Sequence, residues 1–143
     1  MKTDWTRFTT EQEAVKWLRE KKAEDGKLIS AEQAKKELRK LVPLEKVYQK
    51  KIMDYLRARP GVFAWKQSNG RYSSQNGTPD ITCVFHGRYV GFEVKRPIFG
   101  EVSAIQKDAI RRIREVGGVA AVVTTPEDAA DVLHKIEKEV KRK

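Results

Sequence analysis

Two acids and a lysine, Asp80, Glu93 and Lys95, sit in a stretch that reads as a β-hairpin. Residues 80–85 (DITCVF) and 88–95 (RYVGFEVK) are rich in β-branched and aromatic side chains, and His86-Gly87 is a two-residue turn ending in glycine. Such a turn pairs Phe85 with Arg88, and counting back sets Asp80 across from Glu93. Opposed residues on one sheet face have Cβ atoms about 5 Å apart, a separation at which like charges repel. Lys95 lies two residues beyond Glu93 and projects from the same face. A divalent cation would relieve the repulsion, and carboxylate oxygens are what Mg²⁺ or Mn²⁺ prefers. The plainer alternative is a solvated hairpin face with ordinary charges. Against it, Ile81, Cys83, Phe85, Val90, Phe92 and Val94 alternate as a buried set on the other face. Val84 adds an apolar side chain to the charged face as well. Together they predict a sheet covered on both sides, where unpaired charge is costly.

The elements that must position these residues follow from caps and periodicity. Thr9 or Thr10 caps a helix starting near Glu11, with Glu13 suiting a capping box after Thr10 and with Ala14, Trp17 and Leu18 as a narrow apolar stripe. Ser30, with Gln33, caps a second helix from Ala31 to about Leu41, whose apolar face is Ala34, Leu38 and Leu41. These two short helices are expected to lack a core of their own. A third helix opens at Pro43 and runs to about Arg59, with Leu44, Val47, Tyr48, Ile52, Tyr55 and Leu56 on its apolar face. Glu45 and Gln49 border that face, and a first-turn acid is favoured by the helix dipole alone.

Residues 62–67 (VFAWKQ) read as a first strand. In the polar stretch 68–78, Arg71 and Tyr72 offer a phosphate contact and a stacking surface, although loop solvation explains them equally well. After the hairpin, Ile98 to Val102 reads as a mobile connection. Ser103 then caps a helix over 104–116, with Ile105, Ala109, Ile113 and Val116 inward and Lys107, Arg111 and Arg114 as a basic stripe. Gln106 borders the core, and as third residue of the helix it also completes a capping box with Ser103. Gly117-Gly118 ends the helix, Val119 to Thr124 is a buried strand, and Thr125 starts a last helix that ends in a basic tail.

Composition bounds the rest. A chain of 143 residues with a formal net charge of +10 suggests one compact domain with an extension and a polyanionic partner, nucleic acid before an anionic membrane surface. No apolar run is long enough to span a bilayer, and the first residues lack the apolar core of a signal peptide. The single Cys83 excludes an intrachain disulfide, and the expected setting is a reducing cytoplasm. The two histidines, His86 and His134, do not suit a Ser-His-Asp arrangement or a histidine metal site, and no phosphate-binding glycine motif is present.

In order, Pro79-Asp80 followed by Glu93-Val94-Lys95 resembles the PD-(D/E)xK signature of metal-dependent nucleases. Gly77-Thr78-Pro79-Asp80, Glu93-Val94-Lys95, Ser103-Ala104-Ile105-Gln106 and the upstream Glu45 with Gln49 are similar to its VRR-NUC branch, the virus-type replication-repair nucleases, over residues 43–128. The resemblance implies an α/β fold: a restriction-endonuclease-like core with a central mixed sheet in the order α-β-β-β-α-β-α, occupying 43–143, behind an N-terminal helical extension at 1–42. It implies Mg²⁺ or Mn²⁺ held by Asp80, Glu93 and the Val94 carbonyl, with Glu45 as a third carboxylate. Lys95 would act on the attacking water, and Gln106 would contact that water or the phosphate. Arg71, Tyr72, Arg96, Lys107, Arg111 and Arg114 would serve DNA binding. The implied activity is DNA phosphodiester hydrolysis on branched structures, by a homodimer, in replication, repair or recombination in a phage or other mobile element. A Holliday-junction-resolvase-like, restriction-type or homing-type enzyme on the same core is the nearest alternative. A non-catalytic nucleic-acid-binding module lies further off, since Asp80, Glu93 and Lys95 are all present.

Overall fold

A two-residue turn fixes the sheet. His86 and Gly87 both take positive φ, 51° and 75°, as a type I′ hairpin turn requires. This turn joins β2 (Ile81–Phe85) to β3 (Arg88–Val94) with Phe85 opposite Arg88 and Ile81 opposite Phe92. The structure, a computed structural model, describes residues 2–67 and 77–142. Its other strands are β1 (Val62–Lys66), antiparallel to β2, and β4 (Val119–Val123), parallel to β3, giving one mixed sheet in the order β1-β2-β3-β4. The helices are α1 (Glu11–Glu24), α2 (Ala31–Leu41), α3 (Glu45–Ala58), α4 (Ala104–Glu115) and α5 (Pro126–Lys141), with a single 3₁₀ turn at Trp5–Arg7.

The chain forms two units, Glu45–Lys95 with Glu101–Lys143, and Met1–Leu44 with Arg96–Gly100. In the first, the alternation read from the hairpin holds. Ile81, Cys83, Phe85, Val90, Phe92 and Val94 share one face of the sheet and are buried with Tyr48, Ile52, Met53 and Leu56 of α3 and Ala129, Leu133 and Ile136 of α5. Leu44 and Val47 stay exposed, and Met53 takes the place expected of them. Burial pushes the Cys83 thiol up to about 12, which leaves it inert as a core side chain. The opposite face is covered only in part. α4 packs on β4 and buries Ile110, while Ile105 and Val116, expected inward, are exposed. Over β1 and β2 this face is open: Phe63 is 72% exposed, and Trp65 and Val84 are each 39% exposed. The sheet covered on both sides is therefore corrected to one covered fully on one face and partly on the other.

The second unit has a core, contrary to expectation. Ala14, Val15 and Leu18 of α1 meet Ala34 and Leu38 of α2, and Trp5, Phe8, Trp17, Ile98 and Phe99 pack around them. Three aromatic rings supply what two short helices lack, with Trp5 and Trp17 edge-to-face at 5.7 Å and Phe8 5.4 Å from Trp17. Leu41 remains exposed. Thr10 caps α1 as expected, but Glu13 reaches past it to the Thr9 N–H and hydroxyl, at 3.2 and 2.8 Å. Ser30, Ser103 and Thr125 form complete capping boxes with Gln33, Gln106 and Asp128. Residues 97–99, where the expected connection begins, form a turn, with Phe99 N–H bonded to the Pro97 carbonyl at 2.7 Å and Ile98 held at a φ of 70°.

Candidate active site

The site is built where the hairpin frays into its flanking residues. Continuing the β2–β3 register by one step sets Asp80 across from Glu93, and the Gln67 N–H bonds the Asp80 carbonyl at 2.8 Å, so β1 follows β2 to the same level. The Asp80 carboxylate accepts from the Val94 N–H at 2.8 Å. Residues 77–79 earn their identities by crowding. A Cβ on Gly77, whose φ is 82°, would strike the Ile105 side chain and carbonyl in the first turn of α4. A Cβ on Gly91 would lie 2.7 Å from Pro79, so a bare strand residue is what lets Pro79 seat on the sheet. Gly77, Pro79 and Gly91 thus hold Asp80 against β3.

Glu93 is the centre. It is 1% exposed, which is rare for a carboxylate. Its Oε1 accepts from the Gln106 amide at 2.6 Å and lies 3.5 Å from Lys95 Nζ, while its Oε2 is buried with no partner among the described residues. Burial first, and the charge of Asp80 second, push its carboxyl up to about 7, with Lys95 opposing. Glu45, at the start of α3, is raised by burial and then by Asp80; its Oε2 accepts from Gln49 at 3.2 Å and its Oε1 lies 4.0 Å from Lys95 Nζ. Lys95 therefore stands between two carboxylates, with its side chain only 15% exposed.

Gln106 does both things its position allowed. Its N–H and Oε1 close the capping box with Ser103, at 3.2 and 2.9 Å, which leaves the amide NH₂ aimed at Glu93. Glu45, Asp80, Glu93, Val94, Lys95 and Gln106, singled out from sequence, are thus neighbours. The expected nucleic-acid contacts are placed less uniformly. Arg96 donates from one nitrogen, Nη2, to the Arg39 and Val42 carbonyls at 3.2 and 2.8 Å and lies over Phe99, and its Nε is buried with no partner among the described residues. Arg111 is paired with Asp108 and Glu115, at 2.6 and 2.5 Å, and Arg114 donates to the Ala120 carbonyl. Of that stripe only Lys107 makes neither an ion pair nor a side-chain hydrogen bond among the described residues. Arg71 and Tyr72 lie outside the described residues. Sequence reading missed the role of Gly91; the strand glycine facing a proline was the available signal.

The donor set suits a hard divalent cation. Two opposed carboxylates, one with a buried and unpartnered oxygen, are a charge arrangement that such an ion would neutralise. No group of three or more His, Cys, Asp or Glu is gathered around one point among the described residues: Asp80 and Glu93 oppose each other, and Glu45 is linked to Glu93 through Lys95.

Two solved structures share this arrangement of strands and helices. A structure described as a VRR_NUC domain superposes with a TM-score of 0.52 at 23% identity, covering 63% of this chain and 94% of its own. The fold is that of VRR-NUC domains. A second, described as a VRR_NUC domain protein, matches at 17% identity and the same TM-score, over 69% of this chain and 89% of that one. Here that α/β fold carries an N-terminal helical extension. No family model and no curated protein matches the chain. No helix among the described residues is long and apolar enough to cross a membrane.

Proposed function

We propose that the chain is a VRR-NUC nuclease that hydrolyses DNA phosphodiester bonds with a divalent cation. The observation that carries this reading is Glu93: buried, opposed to Asp80, and left with an oxygen that no residue among those described satisfies. Asp80 and Glu93, with the Val94 carbonyl, would hold Mg²⁺ or Mn²⁺, and Glu45 would assist directly or through water. Such an ion supplies a lowered pKa for water and an offset for the charge that gathers on phosphorus. The protein's own groups do the positioning. Gln106 fixes one Glu93 oxygen so that the other faces the reacting centre. Lys95, drawn between Glu45 and Glu93, keeps a desolvated ammonium at that centre, where it orients the attacking water and bears the developing charge. The net charge of +10 supplies sequence-independent attraction to the backbone. Branched DNA is the expected substrate, and a junction would engage two copies of the chain.

The test is a panel of labelled linear, flap and four-way DNA substrates incubated with Mg²⁺, with Mn²⁺ and with EDTA. Cleavage that requires the metal and disappears in Asp80→Asn is the expected result. Cleavage that survives Asp80→Asn near wild-type rate refutes the site, and binding without cleavage under every condition makes the chain a binding module.

A further inference from the structure

The open half of the sheet lies next to this site. We infer that Phe63, Trp65 and Val84 form a stacking platform for unpaired bases of the strand that is led to Asp80 and Glu93. The inference deepens the nuclease reading and rests on it for where the strand goes, but not for whether it binds.

Three observations point to this occupant. The first is exposure of rings rather than aliphatic chains. Phe63 and Trp65 stand two residues apart on an edge strand, their rings 5.4 Å apart and tilted by 48°, with Val84 exposed beside them. Aromatic faces left in water at a sheet edge are a recognition feature more than a packing one. The second is register. Trp65 is opposite Thr82, and Asp80 lies two residues before Thr82 on the same face, so Trp65 and Asp80 are diagonal neighbours about 7–8 Å apart. A strand with one base on Trp65 has its next phosphates within reach of the carboxylates. The third is charge. β1 and β2 carry no carboxylate, Asp80 stands just before β2, and the chain carries +10. A polyanion is attracted to such a surface, whereas a second copy would bring another +10 to it.

The state of the nucleic acid follows from geometry. In a duplex the base faces are stacked on one another and only edges, sugars and phosphates are presented. Ring faces on the protein can be used only by bases that are out of the duplex. The platform therefore selects DNA that is single-stranded or splayed within a few nucleotides of the cut.

Binding is measured with the full chain in EDTA, so that cleavage plays no part. The probes are oligo(dT) and a blunt duplex of equal length. Oligo(dT) should quench tryptophan emission in the wild type and not in Trp65→Phe, and the duplex should quench neither. Phe63→Ala should weaken oligo(dT) binding roughly 5- to 100-fold, the range for loss of one base–aromatic stack. Duplex binding should stay unchanged, and Phe63→Tyr should restore oligo(dT) binding. Phe63 is exposed, so truncation removes no core volume. Equal quenching in Trp65→Phe, or equal loss on the two probes, overturns the platform. Concentration-dependent sedimentation without DNA that Phe63→Ala abolishes also overturns it, in favour of a second copy. Quenching as expected with no metal-dependent cleavage would sink the nuclease reading and leave the platform standing. Cleavage without quenching would do the reverse.

Discussion

Taking divalent cations away should make this protein less stable as pH rises through neutrality, because of one carboxyl. Glu93 in the folded chain titrates at about 7, against 4.5 for an ordinary glutamate, so the folded state binds its proton more tightly than the unfolded state does. That contribution is fully present below about pH 4.5 and is lost as pH rises through 7. Each unit of displacement is worth about 1.4 kcal/mol, so the loss between pH 5 and 8 is about 2 to 3 kcal/mol. Glu45 is raised as well and adds in the same direction. Groups held low, among them Asp4 and Asp108, lose their contribution only at more acidic pH and do not interfere. For a chain of this size the expected fall in Tm is on the order of 10 °C. Thermal melts by circular dichroism in EDTA at pH 5, 6, 7 and 8 would read it directly. Glu93→Gln should flatten the profile. Saturating Mg²⁺ or Mn²⁺ at pH 8 should recover the loss, since binding at about 100 times Kd contributes about 3 kcal/mol. A wild-type Tm that is level from pH 5 to 8 and superimposes on Glu93→Gln would refute the account of Glu93 as a strained buried acid.

Asp80→Asn removes the facing charge, so its metal-free Tm at pH 8 should exceed that of the wild type while its cleavage is lost; a lowered Tm would mean that the bond to Val94 outweighs the repulsion. Lys95→Ala should reduce turnover by about a hundredfold or more with duplex affinity nearly unchanged, measured by single-turnover cleavage beside filter binding. Gln106→Glu keeps the capping-box geometry but sets a second carboxylate against Glu93, so it should be destabilised at pH 8 and close to wild type at pH 5; equal Tm at both would reduce Gln106 to a cap. Lys107→Gln should lower the log–log salt slope of duplex binding by about 0.9 and Arg111→Gln by less, since Arg111 is already held by two carboxylates; equal slopes would show that those pairs open on binding.

The site was legible in the sequence because a two-residue turn leaves no freedom of register. Once His86-Gly87 is the turn, the facing of Asp80 and Glu93 is arithmetic, and the burial of Ile81, Cys83, Phe92 and Val94 follows from alternation. Gln106 could be read both ways because a capping box uses only the amide oxygen of its third residue. What escaped depended on residues distant in sequence. That two short helices build a core was hidden because its last members, Ile98 and Phe99, come from the other side of the sheet's strands in chain order. The basic stripe on α4 looked freer than it is, since i,i+3 and i,i+4 partners neutralise Arg111 on the helix itself. The open half of the charged face was not visible because periodicity says which side chains share a face and not how far a 12-residue helix extends across it.

The turn at Arg96–Gly100 ties the order of synthesis to the order of folding. Residues 1–44 leave the ribosome before the unit that follows them, yet their core is closed by Ile98 and Phe99, and the end of α2 receives its side-chain donor from Arg96. The N-terminal unit cannot finish until three strands of the following unit have been made. Cutting the gene after residue 44 does not yield two domains; it yields a helical pair with part of its core missing, and a sheet-containing unit whose middle carries an isoleucine and a phenylalanine that were packed elsewhere. Ile98, held in the left-handed region that β-branched residues avoid, has that packing as its reason to stay there. The gene for a separable sheet unit would have to replace residues 96–100 as well as omit the first 44.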